Sequence, residues 1–224
     1  MKRLADIDTW IFDLDNTLYP ASASLFPQID ARMGAYIQRL LGIDKDEAWR
    51  VQKGFFHSHG MTLPGLMAEH GVDPHEFLAF VHDVDIDVVV PHPELADLIA
   101  RLPGRKFVFT IADAPYAERV LARLGLSDSF DALHDIHALD YVPKPQAPAY
   151  ASMCSTHGID PTRAIFVEDM ARNLIPAKVI GMTTVWIDNG SEQGPDERRD
   201  HIDLIIPDVA SWLAGVVAEL EKNP

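Results

Sequence analysis

Cysteine is almost absent from this 224-residue chain. Cys154 is the only one, which excludes an internal disulfide and fits a reducing, cytoplasmic setting. It lies with Tyr150, Met153 and His157 in a stretch of helical period, where core filling is the expected role. Long apolar runs are missing as well. No uninterrupted stretch approaches the roughly 20 residues a membrane span needs, and Met1-Lys2-Arg3 leads into Asp6 and Asp8 instead of a signal peptide's apolar segment. Positive charge is scarce: 19 Lys and Arg stand against 34 Asp and Glu, a formal net charge of −15. Such a surface repels nucleic acid and anionic membranes, so neither is expected as a partner. Any phosphate site must then be made attractive locally, by a metal ion, a lysine and backbone N–H groups.

What remains is an ordinary globular composition, 47% hydrophobic and 24% charged, with room for one large domain or one domain carrying an insertion. Within it the stretch Trp10-Ile11-Phe12-Asp13-Leu14-Asp15-Asn16-Thr17 stands apart. An aromatic and β-branched run reads as a buried strand of a parallel sheet, and it stops on two carboxylates at i and i+2. Ligands of open α/β sheets sit beyond the carboxyl ends of the strands, which puts Asp13 where chemistry happens and Asp15 one step into the loop. Two bare carboxylates so close repel, so one is protonated or the pair holds a cation. The alternative is an Asx turn, in which Asp and Asn bond only local backbone.

Tyr19-Pro20 ends this strand, and from there to about Pro93 the periodicity is helical. Ile29, Met33, Tyr36, Ile37, Leu40 and Leu41 mark one face, with Gly42 as a stop. Asp44 and Glu47 form a capping box ahead of Ala48, Val51 and Phe55, and Asp73-Pro74 opens a helix carrying Phe77, Leu78 and Val81. Residues 88–93, with two prolines, read as a return linker. Beyond them strand and helix alternate, with strands over 106–110, 132–136, 163–167, 183–187 and 204–206. Helices are expected over 115–124, 148–157 and 209–220, and an exposed polar loop over 189–201. The expectation is a Rossmann-like, three-layer α/β core on a parallel sheet, built from residues 1–18 and 93–224. A helical domain of residues 19–92 is inserted after the first strand.

Three later segments close in the same polar fashion. Val108-Phe109-Thr110 ends on a hydroxyl and Phe166-Val167-Glu168-Asp169 on a second acidic pair, while Pro143 and Pro145 stiffen the loop carrying Lys144. Singly, each has a structural reading: Thr110 as a helix cap, Lys144 as a solvated charge, Glu168 and Asp169 as helix-start carboxylates. Together they fall at or just after strand ends and converge on one edge of the sheet. In order and type they resemble the four motifs of haloacid-dehalogenase-like phosphatases, with residues 19–92 in the place of that family's cap. The flanking Asp15-Asn16-Thr17-Leu18-Tyr19-Pro20, Val167-Glu168-Asp169-Met170-Ala171-Arg172-Asn173-Leu174 and Val81-His82-Asp83-Val84-Asp85 resemble the pyrimidine 5′-nucleotidase branch.

The resemblance implies Mg²⁺-dependent hydrolysis of a small phosphate monoester, a pyrimidine nucleoside 5′-monophosphate, through an aspartyl-phosphate on Asp13. Asp15 would act as general acid and then base. A second aspartate there points to transfer to water, since dehalogenase relatives lack this acid. Lys144 would offset the crowding of carboxylates, and Thr110 with the N–H of Ile111 would hold phosphoryl oxygens. Asp13, the carbonyl of Asp15 and Asp169 would hold the metal, with Glu168 a direct or water-mediated ligand. Asn16, Tyr19, His82, Asp83 and Asp85 are the candidate substrate contacts. Ile111 stands where an asparagine commonly follows the threonine, and Asn173 where many members carry a further acid. His57 and His59 have the spacing of a metal pair, but Ser58 and Gly60 beside them read as an exposed loop. Other readings are a phosphatase or phosphomutase of a sugar phosphate or another small metabolite, and a non-catalytic ligand-binding relative. Either a monomer or a homodimer is compatible with the sequence.

Overall fold

The first strand, β1 (Thr9–Phe12), is buried at all four positions, as an apolar run without alternation must be when helices cover both faces of a sheet. Complete burial of Trp10, Ile11 and Phe12 contributes about 1.5–3 kcal/mol apiece. β1 pairs in parallel with β2 (Arg105–Phe109) on one side and β4 (Ala164–Glu168) on the other. β3 (Ala132–His134) lies outside β2, and β5 (Thr183–Ile187) and β6 (Leu204–Ile206) lie outside β4. The order is β3-β2-β1-β4-β5-β6, with every pair parallel. The chain builds outward to β3, then restarts at β4 on the other side of β1. That reversal opens a crevice at the carboxyl ends of β1 and β4. The computed structural model describes residues 4–190 and 199–222, so most of the expected loop over 189–201 lies outside the described residues.

Register sets what faces what. Ile11 lies beside Phe107 and Phe166, so the same face continues, two residues on, to Asp13, Phe109 and Glu168. On that face α7 (Ala147–His157) lays Tyr150 edge-on to Phe109, ring centres 5.3 Å apart, and packs against α8 (Leu174–Val179). On the opposite face Trp10 meets Trp212 of α9 (Val209–Lys222) at 6.3 Å, and α9 packs on α5 (Pro93–Ala100). A further helix, α6 (Ala114–Leu124), starts just past the end of β2.

Four helices separate β1 from α5: α1 (Leu25–Leu41), α2 (Lys45–His59), α3 (Thr62–His70) and α4 (Pro74–Val81). They pack on one another, α1 against α2 and α4, and α2 against α3. Tyr36 of α1 meets Phe77 and Phe80 of α4 edge-on at 5.1 and 5.5 Å. The caps are those the sequence calls for: Asp44 accepts from the Glu47 N–H, and Gly42 ends α1 in the left-handed region at φ 67°. Near the far end of α2, Phe56 lies beneath the guanidinium of Arg172, in the turn after β4, at 4.8 Å.

Several elements depart from expectation. α3 contains Pro64 and Gly65, which mask its helical period. α5 begins at the Pro93 that was expected to end a linker; the proline occupies the first helical turn, where its missing N–H costs nothing. β3 stops at His134 instead of running on to 136, because the Asp135 carboxylate turns to accept the N–H groups of Ala114 and Ala138, each at 2.9 Å. His57 and His59 form the last turn of α2, not a loop.

Candidate active site

Lys144 stands at the centre of the crevice. Its Nζ donates to Asp13 Oδ1 and Glu168 Oε2, each at 2.7 Å, and to the Phe109 carbonyl at 2.9 Å. The residue just past β1 and the last residues of β2 and β4 are thereby tied to a single ammonium. The lysine side chain is 1% exposed. It reaches the cluster from the loop between β3 and α7, over the rings of Phe109 and Phe166 at 5.1 and 5.4 Å. Burial alone would lower its pKa, but the two carboxylates hold the ammonium above the usual lysine value. Burial, with Glu168 close by, pushes Asp13 up to about 7 in spite of Lys144.

Asp13 is fixed from several sides. Its N–H donates to the Val167 carbonyl at 2.9 Å, extending the ladder one step past β1, and its Oδ2 accepts from the Thr17 hydroxyl at 3.3 Å. Thr110 is fully buried just past β2. Its N–H donates to the His134 carbonyl and its Oγ1 accepts the Ala112 N–H, both at 3.1 Å. Ile111 packs its side chain on the hydrophobic core. Asn16 takes a left-handed backbone at φ 58°, and its carbonyl accepts from Asn189 Nδ2 at 2.6 Å.

Carboxylate oxygens of Asp13, Glu168 and Asp169 lie within 4.8 Å of one another, all three residues buried. One ammonium against three carboxylates leaves excess negative charge on hard oxygen donors, a set that suits Mg²⁺. Glu168 is committed on both oxygens, Oε2 to Lys144 and Oε1 to the Met170 N–H at 3.2 Å. Asn173 is buried beside this loop, and its Oδ1 has no hydrogen-bond partner among the described residues.

The Asp15 carboxylate takes a different direction. Its Oδ1 accepts from the phenols of Tyr19 at 2.5 Å and Tyr116 at 2.7 Å. Burial, together with Asp15, holds both phenols well above the usual tyrosine range. His82 is enclosed, not directed into an open cleft: its ring stacks on Tyr116 at 4.4 Å and its Nδ1 lies 2.7 Å from Asp113 Oδ1. The structure does not bring Asp83 to the cluster. Its side chain is 78% exposed and paired with Arg32 at 2.9 Å, because it follows the end of α4 on the outer side. Asp85 instead caps the short turn Ile86–Val88 by accepting the Asp87 N–H at 2.9 Å. Tyr116 and Asp113 are not among the residues that the sequence singles out. Tyr116 is buried on the side of α6 that carries Ala117, Val120 and Leu121, where an aromatic reads as core, and the only signal was an aromatic three residues after a carboxylate at a strand-to-helix turn.

Residues 7–181 match the family model described as haloacid dehalogenase-like hydrolase. Phosphate metabolism protein 8 of Saccharomyces cerevisiae is 25% identical over 189 residues, 77% of this chain and 59% of the yeast protein, so the chain spans less than two thirds of that relative. A fructose-1-phosphate phosphatase of Escherichia coli is 27% identical over 188 residues, 78% of this chain and 93% of that protein. The solved L-2-haloacid dehalogenase of Xanthobacter autotrophicus, with chloropropionic acid covalently bound, aligns over 97% of this chain and 100% of its own at a TM-score of 0.59. Its 18% identity makes this a likeness of fold.

Proposed function

The chain belongs to the haloacid dehalogenase-like hydrolases, and from that membership we propose that it is a Mg²⁺-dependent phosphatase of small phosphorylated metabolites. The observation that carries this reading is a second aspartate, Asp15, held on two phenols apart from the buried Asp13–Lys144–Glu168–Asp169 cluster. An enzyme that displaces halide needs no acid to protonate its leaving group. One that expels an alkoxide does.

In this reading Asp13 attacks phosphorus and the ester P–O bond breaks, while Asp15 gives its proton to the departing alkoxide. Asp15 then takes a proton from water as that water attacks phosphorus, and the bond to Asp13 breaks. Lys144 fixes the attacking carboxylate and offsets the charge of the site. Thr110 and the Ile111 N–H receive phosphoryl oxygens. Asp13, Asp169 and the Asp15 carbonyl would hold Mg²⁺, which when bound neutralises charge on the phosphoryl group. Glu168, already committed to Lys144 and Met170, would act through water. Residues 1–18 and 93–224 serve as the core and 19–92 as the cap.

The proposed substrate is a pyrimidine nucleoside 5′-monophosphate, supported by the flanking sequence, in which Arg172 lies over the Phe56 ring of α2, a flat ring beside a cation. A sugar phosphate is the second reading, favoured by the E. coli relative. A panel containing uridine and cytidine monophosphates, fructose 1-phosphate and 2-chloropropionate decides among these, with Mg²⁺ and with EDTA. Phosphate release that needs Mg²⁺ and falls at least about 10³-fold in Asp13→Asn is the expected result. Halide release without phosphate release would overturn the proposal.

A further inference from the structure

Asp15 reaches its place through a chain of contacts that the phosphatase reading does not require. Tyr19 and Tyr116 donate to the same oxygen, Oδ1, at 2.5 and 2.7 Å. An oxygen that already receives two O–H donors has no room for a third proton-bearing contact, so the transferable proton of this carboxyl group resides on Oδ2. The two tyrosines therefore choose the face from which Asp15 can donate. Tyr19 is local in sequence, four residues along. Tyr116 is not: it belongs to the first turn of α6, 101 residues away.

What holds the Tyr116 ring comes from the helical block. His82, at the end of α4, lies flat on it with 20° between the planes. The His82 ring is held in turn by Asp113, three residues before Tyr116; since an ionised carboxylate only accepts, Nδ1 carries the hydrogen. Arg119 of α6 donates to the His82 and Val84 carbonyls at 3.1 and 3.0 Å, which fixes the backbone carrying the imidazole. His82, Asp113 and Tyr116 are each less than 8% exposed.

We infer that Tyr116 is a positioning residue for the proton-transfer step, and that His82 of the helical block sets Tyr116. This rests on the reading of Asp15 as the general acid. Seating the block on the sheet then aligns the acid, and Tyr19 and His82, two of the candidate substrate contacts, act on Asp15.

Leaving-group dependence tests this, because protonation matters only when the departing oxygen is basic. Wild type and Tyr116→Phe are compared on an alkyl phosphate and on p-nitrophenyl phosphate, whose phenolate leaves without a proton. Tyr116→Phe keeps the ring on His82, and its thermal midpoint serves as the folding control. kcat on the alkyl ester is expected to fall by about 10²-fold, against less than about tenfold on the aryl ester. His82→Ala should show the same selective loss, smaller in size and not additive with Tyr116→Phe. Turnover by wild type reports on the phosphatase reading independently. Equal loss on both esters, or no loss on either, overturns the inference while leaving that reading standing.

Discussion

Lys144 is the residue on which the charge of the crevice depends. It is the partner of two buried carboxylates, and removing one member of such a set leaves uncompensated charge away from water. Lys144→Met should lower the stability to urea by about 3–5 kcal/mol, read as a fall in the unfolding midpoint, and abolish activity. An unchanged midpoint would contradict the ion pairing described here. At this scale much was legible from the sequence. Asp13, Lys144, Glu168 and Asp169 each follow a strand or sit between prolines, and strand ends of a parallel sheet meet on one edge, so linear order sufficed to bring them together. Tyr116 and Asp113 were not legible. Their significance comes from what α6 faces once the helical block has settled, and no local spacing encodes that. His82 was singled out from its neighbours in the chain, but its direction depends on the same distant packing.

At the scale of elements, two features carry measurable consequences. β3 ends on His134, whose Nδ1 lies 3.2 Å from His157 Nε2 of α7. Burial, with His157 alongside, pushes His134 down to about 4. Unfolded, it takes up its proton near 6.5. Between these values the unfolded chain binds more protons, so stability falls as the pH drops through that window, by at most about 3 kcal/mol. Urea unfolding at pH 7 and 4.5 should show a smaller pH effect for His134→Gln than for wild type; equal effects would refute the assignment. The second feature is the turn into β2. Gly104 has φ 75°, and a side-chain carbon added there would lie 2.1 Å from the Asp8 carbonyl oxygen. That carbonyl accepts the Arg105 N–H, the bond that starts the β1–β2 ladder. Gly104→Ala should therefore cost more than about 1 kcal/mol, whereas Ala at the open, helical Gly54 should gain about 0.5–1 kcal/mol, when thermal midpoints are compared. The elements that the sequence disclosed best, β1, β4 and β5, are those whose burial on both faces leaves an unbroken apolar run. α3 and α8 went unseen because Pro64, Gly65 and Pro176 imitate loop chemistry inside helices that tertiary packing maintains.

For the molecule as a whole, the net charge of −15 sets the background against which the acidic cluster must form. Added NaCl should raise the thermal midpoint modestly by screening this repulsion. Mg²⁺ at 100 times its dissociation constant should raise it by a further 5–10 °C or so, from about 2.7 kcal/mol of linkage. Asp169→Asn should lose the Mg²⁺ increment and keep the NaCl response, as read by calorimetry. Loss of both, or of neither, would place the cation elsewhere. The position of β1 has one more consequence. Thr9 pairs with Arg105 and Ala164, 96 and 155 residues further along the chain. A growing polypeptide therefore carries the greasy Trp10-Ile11-Phe12 segment unsheltered until most of the protein has left the ribosome. Nascent chains halted before residue 164 should be the ones that chaperones hold and that clump when released.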